Sequence, residues 1–325
     1  MEHLDRPKKL EGHFANARND HGALQSMAPR RTAILSIAAL VGLSVLATSA
    51  VAFDVEPGNY IPFPSGTDLV FGYYQYSSSD RYIADNGTRV PDSELTADVG
   101  IVRDNYYGDI SGTPFCTHVI LPFGTIESAR VGGTPLSIDN GLGDLIVGAT
   151  IWPIHTTGDY GTDFGVSQFF VLPTGTFNPN GVGLGSGAIS ANPELGIMQH
   201  LGHGFMLSST LDARFQADRN YQGRQYETGT SYTLQMTLGY EITPKAAVWA
   251  GYLGEFGGKS YVDGTYTGQK TRVDDVRVYG ETFLTRTWHL NVMVATDVSA
   301  TGGFQRGIYT QIRLVKAFWG RAVDH

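Results

Sequence analysis

Two histidines separated by two residues are the first side chains in this sequence that could do chemistry. His200 and His203 flank Leu201 and Gly202, and a pair of imidazoles can ligate a transition metal. Such a centre needs at least a third ligand, and no third ligand lies nearby in the sequence. Glycine on both sides of His203 is typical of a tight turn. The sequence therefore favours a turn over a metal site, and no cofactor is predicted.

Serine chemistry is the second possibility that the residue types suggest. A serine hydrolase needs a serine, a histidine and a carboxylate or amide that face the same way on neighbouring strands. Ser208 and Ser209 lie close to His203, but adjacent residues of a strand face opposite sides, so at most one of these serines would serve. No G-x-S-x-G nucleophile elbow is present in the sequence. We predict that the protein is not an enzyme.

The remaining chemically capable side chains are charged or amide groups at alternate positions of otherwise apolar segments. In residues 205–217, for example, Asp212 and Arg214 alternate with Leu211 and Phe215. An extended strand sends successive side chains to opposite faces, so each such segment has one polar and one apolar face. The polar faces are expected to line a lumen, where they would form either a charge-selective ring or a salt-bridged plug. The candidate lumen-facing residues are Asp212, Arg214, Gln216, Gln235, Glu241, Arg277, Glu281, Gln311 and Arg313.

The strands that carry these candidate lumen-facing side chains are predicted to be long enough to cross a membrane. Residues 231–242 alternate strictly, Pro244 ends the segment because proline cannot donate a ladder hydrogen bond, and residues 246–255 run back. Most of the similar segments reach the roughly 9–11 residues that a tilted strand needs to cross a bilayer. The twelve predicted strands are 67–76, 95–106, 115–122, 142–152, 164–172, 189–200, 205–217, 231–242, 246–255, 273–284, 288–297 and 307–318.

The connections between these strands carry an independent signal, because longer and shorter connections alternate along the chain. Bacterial outer-membrane barrels have an even number of strands, with short periplasmic turns and longer outside loops. In hydrocarbon an unpaired strand edge is excluded, so the first and last strands must pair. We predict an all-β protein whose residues 67–318 form a transmembrane antiparallel up-and-down β-barrel of about 12 strands. A soluble secreted β protein is the alternative.

The first 52 residues predict an export signal. Arg30 and Arg31 precede an apolar run over residues 33–47, and residues 50–52 form a small-residue cleavage site. Met27 stands just before the basic residues, so residues 1–26 are interpreted as an over-long start. We expect residues 53–66 to form a short periplasmic segment and residues 319–325 a C-terminal tail. The predicted location is the bacterial outer membrane, reached through a cleaved signal peptide.

Charge and cysteine usage exclude other classes of function. Of the 23 basic and 31 acidic residues, six basic and four acidic residues lie in the predicted leader, which leaves a net charge of −10. An acidic chain repels phosphate backbones, so nucleic acid is not a predicted partner. Cys116 is the single cysteine, and it therefore supports neither an internal disulfide nor a thiolate metal site.

Several short motifs, in this order, resemble the family named for the meta pathway of phenol degradation. They are Asp-Val-Glu-Pro-Gly-Asn-Tyr at 54–60, Leu-Pro-Phe-Gly at 121–124, Gly-Leu-Gly-Asp at 141–144, Leu-Pro-Thr-Gly-Thr-Phe-Asn-Pro at 172–179 and Glu-Thr-Gly at 227–229. The resemblance implies an outer-membrane β-barrel, transporter-like, for passive uptake of small hydrophobic or aromatic compounds. The expected partners are outer-membrane lipid and such solutes, and the resemblance supplies no catalytic or binding residues. The alternative is a structural or adhesive barrel with a closed lumen.

Overall fold

The protein folds into a closed antiparallel β-barrel. The computed structural model describes residues 55–179 and 181–319, and twelve long strands run through this part of the chain. They are β1 (Thr67–Ser79), β2 (Glu94–Ile110), β3 (Thr113–Val131), β4 (Leu145–His155), β5 (Thr162–Leu172), β6 (Ser190–Gly202), β7 (Phe205–Gln216), β8 (Ser231–Thr243), β9 (Ala246–Gly257), β10 (Thr271–Phe283), β11 (Trp288–Ala300) and β12 (Ile308–Trp319). Each strand pairs with its neighbours in the chain. The ladder from Thr67↔Trp319 to Ser78↔Ile308 joins β1 to β12 and closes the barrel, which confirms the predicted fold class.

Side-chain burial follows the alternation that the sequence predicts. On β8, Gln235 is 3% exposed, whereas its neighbours on the opposite face, Met236 and Leu238, are 44% and 51% exposed. Large apolar side chains at this exposure would be unfavourable in water, so the outer face of the strand requires a lipid environment. In the described residues, no helix is long and apolar enough to cross a membrane.

The two ends of the barrel differ in the length of their connections. At one end, the turn end, the connections 111–112, 156–161, 203–204, 244–245 and 284–287 are short. At the other, the loop end, the connections 80–93, 132–144, 173–189, 217–230, 258–270 and 301–307 are longer. The predicted strand 142–152 is divided into the short strand Gly141–Leu142 and β4, which begins at Leu145. The loops also contain short strands that the sequence did not indicate: Arg81–Ile83, Arg89–Val90, Thr134–Pro135, Ser137–Asp139, Gly181–Gly183, Arg219–Tyr221, Arg224–Thr228, Ser260–Val262, Thr265–Tyr266 and Gly303–Gln305.

Strand β3 extends well beyond the proline that was expected to end it. Pro122 lies opposite Ile101, and the β2–β3 ladder continues to Glu94↔Arg130. Strand β4 pairs with β3 only as far as Ile120. Beyond that residue the ladder with β4 is interrupted, and the short strand Gly141–Leu142 pairs with Phe123 and Gly124 instead. A missing proline N–H is tolerated at such an interruption.

The structure tests the predicted C-terminal end of the barrel, and it does not describe the predicted leader. Trp319, which was assigned to the C-terminal tail, is the last residue of β12. The leader with its cleavage site and over-long start, together with residues 320–325, lies outside the described residues.

Candidate functional site: the lumen and the loop-end cavity

Residues 55–63, here called the lumen segment, lie inside the barrel. The chain turns inward before β1, where the Gly66 N–H donates to the Tyr107 carbonyl at 2.9 Å. Glu56 and Tyr60 are 2% and 3% exposed, although a segment in the periplasm would leave both side chains in water. The expectation of a periplasmic segment is therefore corrected: specific polar contacts with the barrel wall hold these residues in the lumen.

A buried ion pair anchors the first part of the lumen segment. Glu56 Oε2 lies 2.5 Å from Arg313 Nε, and Glu56 also accepts a hydrogen bond from Gln311. Arg313 Nη1 donates to Asn59 Oδ1 at 3.1 Å. The side chains of Glu56 and Arg313 are 2% and 4% exposed. A buried charge is costly without a partner, so each of these two groups stabilises the position of the other.

Tyr60 anchors the second part of the segment in a seat made by two glycines. Its hydroxyl donates to Glu194 Oε1 at 2.6 Å and lies 2.7 Å from Ser167 Oγ. Gly165 of β5 and Gly196 of β6 are opposite each other in the ladder. A Cβ on Gly196 would lie 2.1 Å from the ring of Tyr60, and a Cβ on Gly165 would lie 2.7 Å from it. The ring therefore fits only because both positions lack a side chain.

The substitution Gly196→Val should displace Tyr60 from this seat. Valine suits a strand, so the barrel itself is expected to persist while the ring loses its place. Limited chymotrypsin digestion of the folded protein, followed by mass spectrometry, should then detect cleavage after Tyr60. The matched control is Gly280→Val on β10, where a Cβ would meet no atom within 4 Å. Equal resistance of Tyr60 to cleavage in both variants would contradict the proposed seat.

Aromatic and sulfur side chains fill much of the lumen around the segment. Trp152 and Trp249 point inward and are 2% and 4% exposed. Met198, Met293 and Tyr309 are buried with them. Other aromatic side chains near strand ends, among them Tyr240, Trp288 and Phe318, are exposed on the outer face.

The nine predicted lumen residues occupy three kinds of position. Asp212, Arg214, Gln235, Arg277, Gln311 and Arg313 are buried inside the barrel. Gln216 and Glu281 are half-buried. Glu241 is exposed at the turn end, where a register shift separates it from Thr243. Three of the buried residues, Gln235, Gln311 and Arg313, contact the lumen segment directly.

A cluster of charges near the loop end includes residues that the sequence did not single out. Asp275 is fully buried and accepts from Arg277 Nε at 2.8 Å. Arg306, from the connection before β12, reaches Asp275 at 3.3 Å and Asp297 at 2.8 Å. Asp275 and Arg277 are two residues apart and therefore share a face of β10. Because Arg277 was predicted to face the lumen, the same alternation could have identified Asp275 as a lumen-facing residue. The approach of Arg306 depends on loop packing, for which the sequence offers no local pattern.

A cavity of about 230 Å³, the loop-end cavity, opens above this cluster. One wall is apolar and consists of inward side chains of β2 and β3, Leu95, Ala97, Val99 and Ile126. Four cations, Arg219, Lys270, Arg272 and Arg306, and two carboxylates, Glu255 and Asp297, also line the cavity. The cavity thus combines an apolar surface with an excess of positive charge, in a chain whose formal net charge is −8.

The predicted turn around His203 is confirmed. Gly202, His203 and Gly204 have φ angles of 79°, 54° and 81°, in the left-handed region that glycine adopts most easily. Among residues 55–179 and 181–319, no group of three His, Cys, Asp or Glu side chains is arranged to hold a metal ion.

Comparisons with known proteins agree with this architecture. A family model described as "Putative MetA-pathway of phenol degradation" matches residues 79–314. The fold is similar to the COG4313 outer membrane channel from Pseudomonas putida F1, with a TM-score of 0.76 and 25% identity over 82% of this chain and 100% of that chain. It is less similar to the β domain of the Bordetella autotransporter Brka, with a TM-score of 0.47 and 9% identity over 78% and 99% of the two chains. No curated protein matches the chain.

Proposed function

The chain belongs to the family described as "Putative MetA-pathway of phenol degradation", and on this premise we propose that it is a passive outer-membrane channel for small hydrophobic or aromatic compounds. The observation that carries the proposal is the loop-end cavity, which offers an apolar wall at one end of a polar lumen. The similarity to a Pseudomonas outer membrane channel supports transport as the general function. Folds of this kind are typically non-enzymatic, so no reaction is proposed.

In the proposed mechanism, a solute enters from the loop end and diffuses down its gradient past the lumen segment. The inward members of the nine predicted lumen residues line the path. Arg214, Arg277 and Arg313, with the carboxylates around them, set its charge preference. The lumen segment narrows the path because it occupies space between the walls. A polar ring of this kind admits small molecules and discriminates among them by charge and size.

The proposed location and partners follow from the outer face and the two ends of the barrel. Outer-membrane lipid would contact the apolar side chains that the strands expose. The short turns would face the periplasm and the long loops the exterior, as in other barrels of this type. Export would proceed through a signal peptide that is removed after residue 52.

A structural or adhesive barrel with a closed lumen is the second candidate. The buried lumen segment favours it, because Glu56 and Tyr60 fix that segment to opposite parts of the wall. Such a protein would present its loops to partners and conduct no solute. The two candidates therefore differ in a measurable quantity, the current through the folded barrel.

Planar-bilayer recording of the refolded, heat-modifiable protein tests the proposal. We expect discrete current steps, and the substitution Arg214→Ala should lower the anion-to-cation permeability ratio severalfold, because Asp212 would remain without the neighbouring cation. Arg286→Ala, in an exposed turn, is the matched control and should leave the ratio unchanged. A folded barrel that neither conducts ions nor admits a labelled aromatic solute into liposomes would instead support the closed-lumen candidate.

A further inference from the structure

We propose that the loop-end cavity binds a small amphipathic anion, a compound with one apolar ring and one carboxylate, and that Arg219 holds the carboxylate. This inference rests on the proposed channel function and narrows its substrate class. A neutral hydrophobic solute would need only the apolar wall of the cavity. Two polar side chains that line the rest of the cavity, Arg219 and Gln269, indicate that the ligand is negatively charged.

Arg219 differs from the other cations that line the loop-end cavity. Lys270 forms an ion pair with Asp85, Arg272 lies 3.0 Å from Asp274, and Arg306 lies 2.8 Å from Asp297. No carboxylate among the described residues forms such a pair with Arg219. Its guanidinium carbon instead lies over the ring of Phe177, at 4.6 Å from the centroid, in a cation–π contact. A guanidinium that contacts an aromatic ring through its face can still bind an anion through the hydrogen-bond donors at its edge.

The hydrogen-bonding atoms of Arg219 support the same conclusion. Its Nε and Nη1 atoms are buried and have no hydrogen-bond partner among the described residues. Buried polar groups are normally satisfied, and each exception needs an explanation. Burial lowers the pKa of Arg219, yet a guanidinium stays protonated at neutral pH. A carboxylate in the cavity would bind one edge of the guanidinium with a bidentate pair of hydrogen bonds, from Nη2 together with either Nε or Nη1, and so satisfy one of the two nitrogens.

Gln269 provides a second polar group that lines the same cavity. The residue is 6% exposed, and neither its amide nitrogen nor its amide oxygen has a partner among the described residues. Its N–H₂ group is a hydrogen-bond donor. One anion with two oxygens could therefore satisfy donors from both Arg219 and Gln269.

Size and wall chemistry define the rest of the ligand. A protein cavity of about 150 Å³ lined by apolar side chains holds benzene, and the loop-end cavity measures about 230 Å³. That volume suits one ring with a carboxylate and is small for a long acyl chain or an oligosaccharide. The ring would contact Leu95, Val99 and Ile126, which are 7%, 6% and 3% exposed. An inorganic anion would leave this apolar wall unused.

Calorimetric titration of the refolded full chain with sodium benzoate tests the inference. Benzoate should bind, whereas benzamide, which has the ring without the charge, and acetate, which has the charge without the ring, should each bind at least about tenfold more weakly. Arg219→Gln should weaken benzoate binding by about tenfold to a hundredfold, the loss expected for charged hydrogen bonds. Arg219→Lys should fall in between, because lysine keeps the charge and lacks the planar fork.

A matched control and a second variant guard against a folding effect. Arg224 lies in the same hairpin as Arg219, is exposed, and pairs with Asp263 at 2.9 Å, so Arg224→Gln should bind benzoate like the wild type. Gln269→Leu keeps the side-chain size and removes the second donor, and it should weaken binding severalfold. Heat-modifiability on gels verifies that each variant is a folded barrel.

The outcomes separate this inference from the channel proposal. Benzamide binding as tight as benzoate, or an Arg219→Gln variant with wild-type affinity, would overturn the assignment of an anion site. Acetate binding as tight as benzoate would overturn the role of the apolar wall. In each of these cases conduction and aromatic uptake by the wild type would still support the channel. A wild type that binds benzoate and neither conducts nor transports would instead overturn the channel proposal alone.

Discussion

A variant that lacks residues 55–63 is expected to conduct ions severalfold better than the full chain. The lumen segment occupies the barrel interior, where Tyr60 is 3% exposed and packs against Met198 and other inward side chains. None of the deleted residues belongs to the barrel ladder, which begins at Thr67. Removal of the segment should therefore widen the path without breaking the wall. Single-channel recording of the refolded variant measures the change.

A graded variant separates widening of the path from damage to the barrel. Glu56→Gln keeps the segment and removes the charge that pairs with Arg313, so its conductance should lie between those of the wild type and the deletion variant. Both variants should retain the heat-modifiable gel shift of a folded barrel. If the deletion variant is folded and conducts like the wild type, the segment does not restrict the path.

The substitution Asp275→Asn is expected to produce the largest loss of stability among single changes in the loop-end charge cluster. Asp275 is fully buried and pairs with Arg277 and Arg306 at 2.8 and 3.3 Å. Removing one member of a buried ion pair leaves an uncompensated charge and costs about 3–5 kcal/mol. The free energy of unfolding, measured by guanidinium titration of the protein in micelles, should fall by an amount of this order.

Asp263→Asn is the matched control for that measurement. Asp263 pairs with Arg224 at a solvent-exposed position, where the two side chains are 50% and 57% exposed. Exposed ion pairs contribute little to stability, so the unfolding midpoint should not move. Equal midpoints for Asp275→Asn and the wild type would show that the cluster does not contribute to stability.

The barrel wall was predictable from sequence because one physical rule acts on every strand. A wall between lipid and a polar lumen requires alternation, and the alternation on β8 between Gln235 and Met236 appears directly in side-chain exposure. Strand ends were less predictable. Pro122 was expected to end β3, whereas the ladder continues to Arg130 because the proline lies where β4 no longer pairs.

The lumen segment and the loop-end cavity were beyond sequence reasoning because their contacts are distant in the chain. Glu56 meets Arg313, and Tyr60 meets Glu194, yet nothing in the residues around Glu56 or Tyr60 has the periodicity of a strand. Arg219 acquires its surroundings from a four-stranded sheet made by two separate loops. The alternation of polar and apolar residues predicts which face of a strand points into the lumen. It carries no information on which distant side chains contact each other inside the lumen.

The glycine seat of Tyr60 also constrains how the sequence can evolve. A relative that acquires a side chain at the position of Gly165 or Gly196 has no room for the ring, so the aromatic residue at position 60 should be lost in the same lineages. Conversely, a lineage that loses the ring is released from keeping two glycines in adjacent strands, where glycine is otherwise disfavoured. The three positions should therefore change together across relatives, as a single inherited unit.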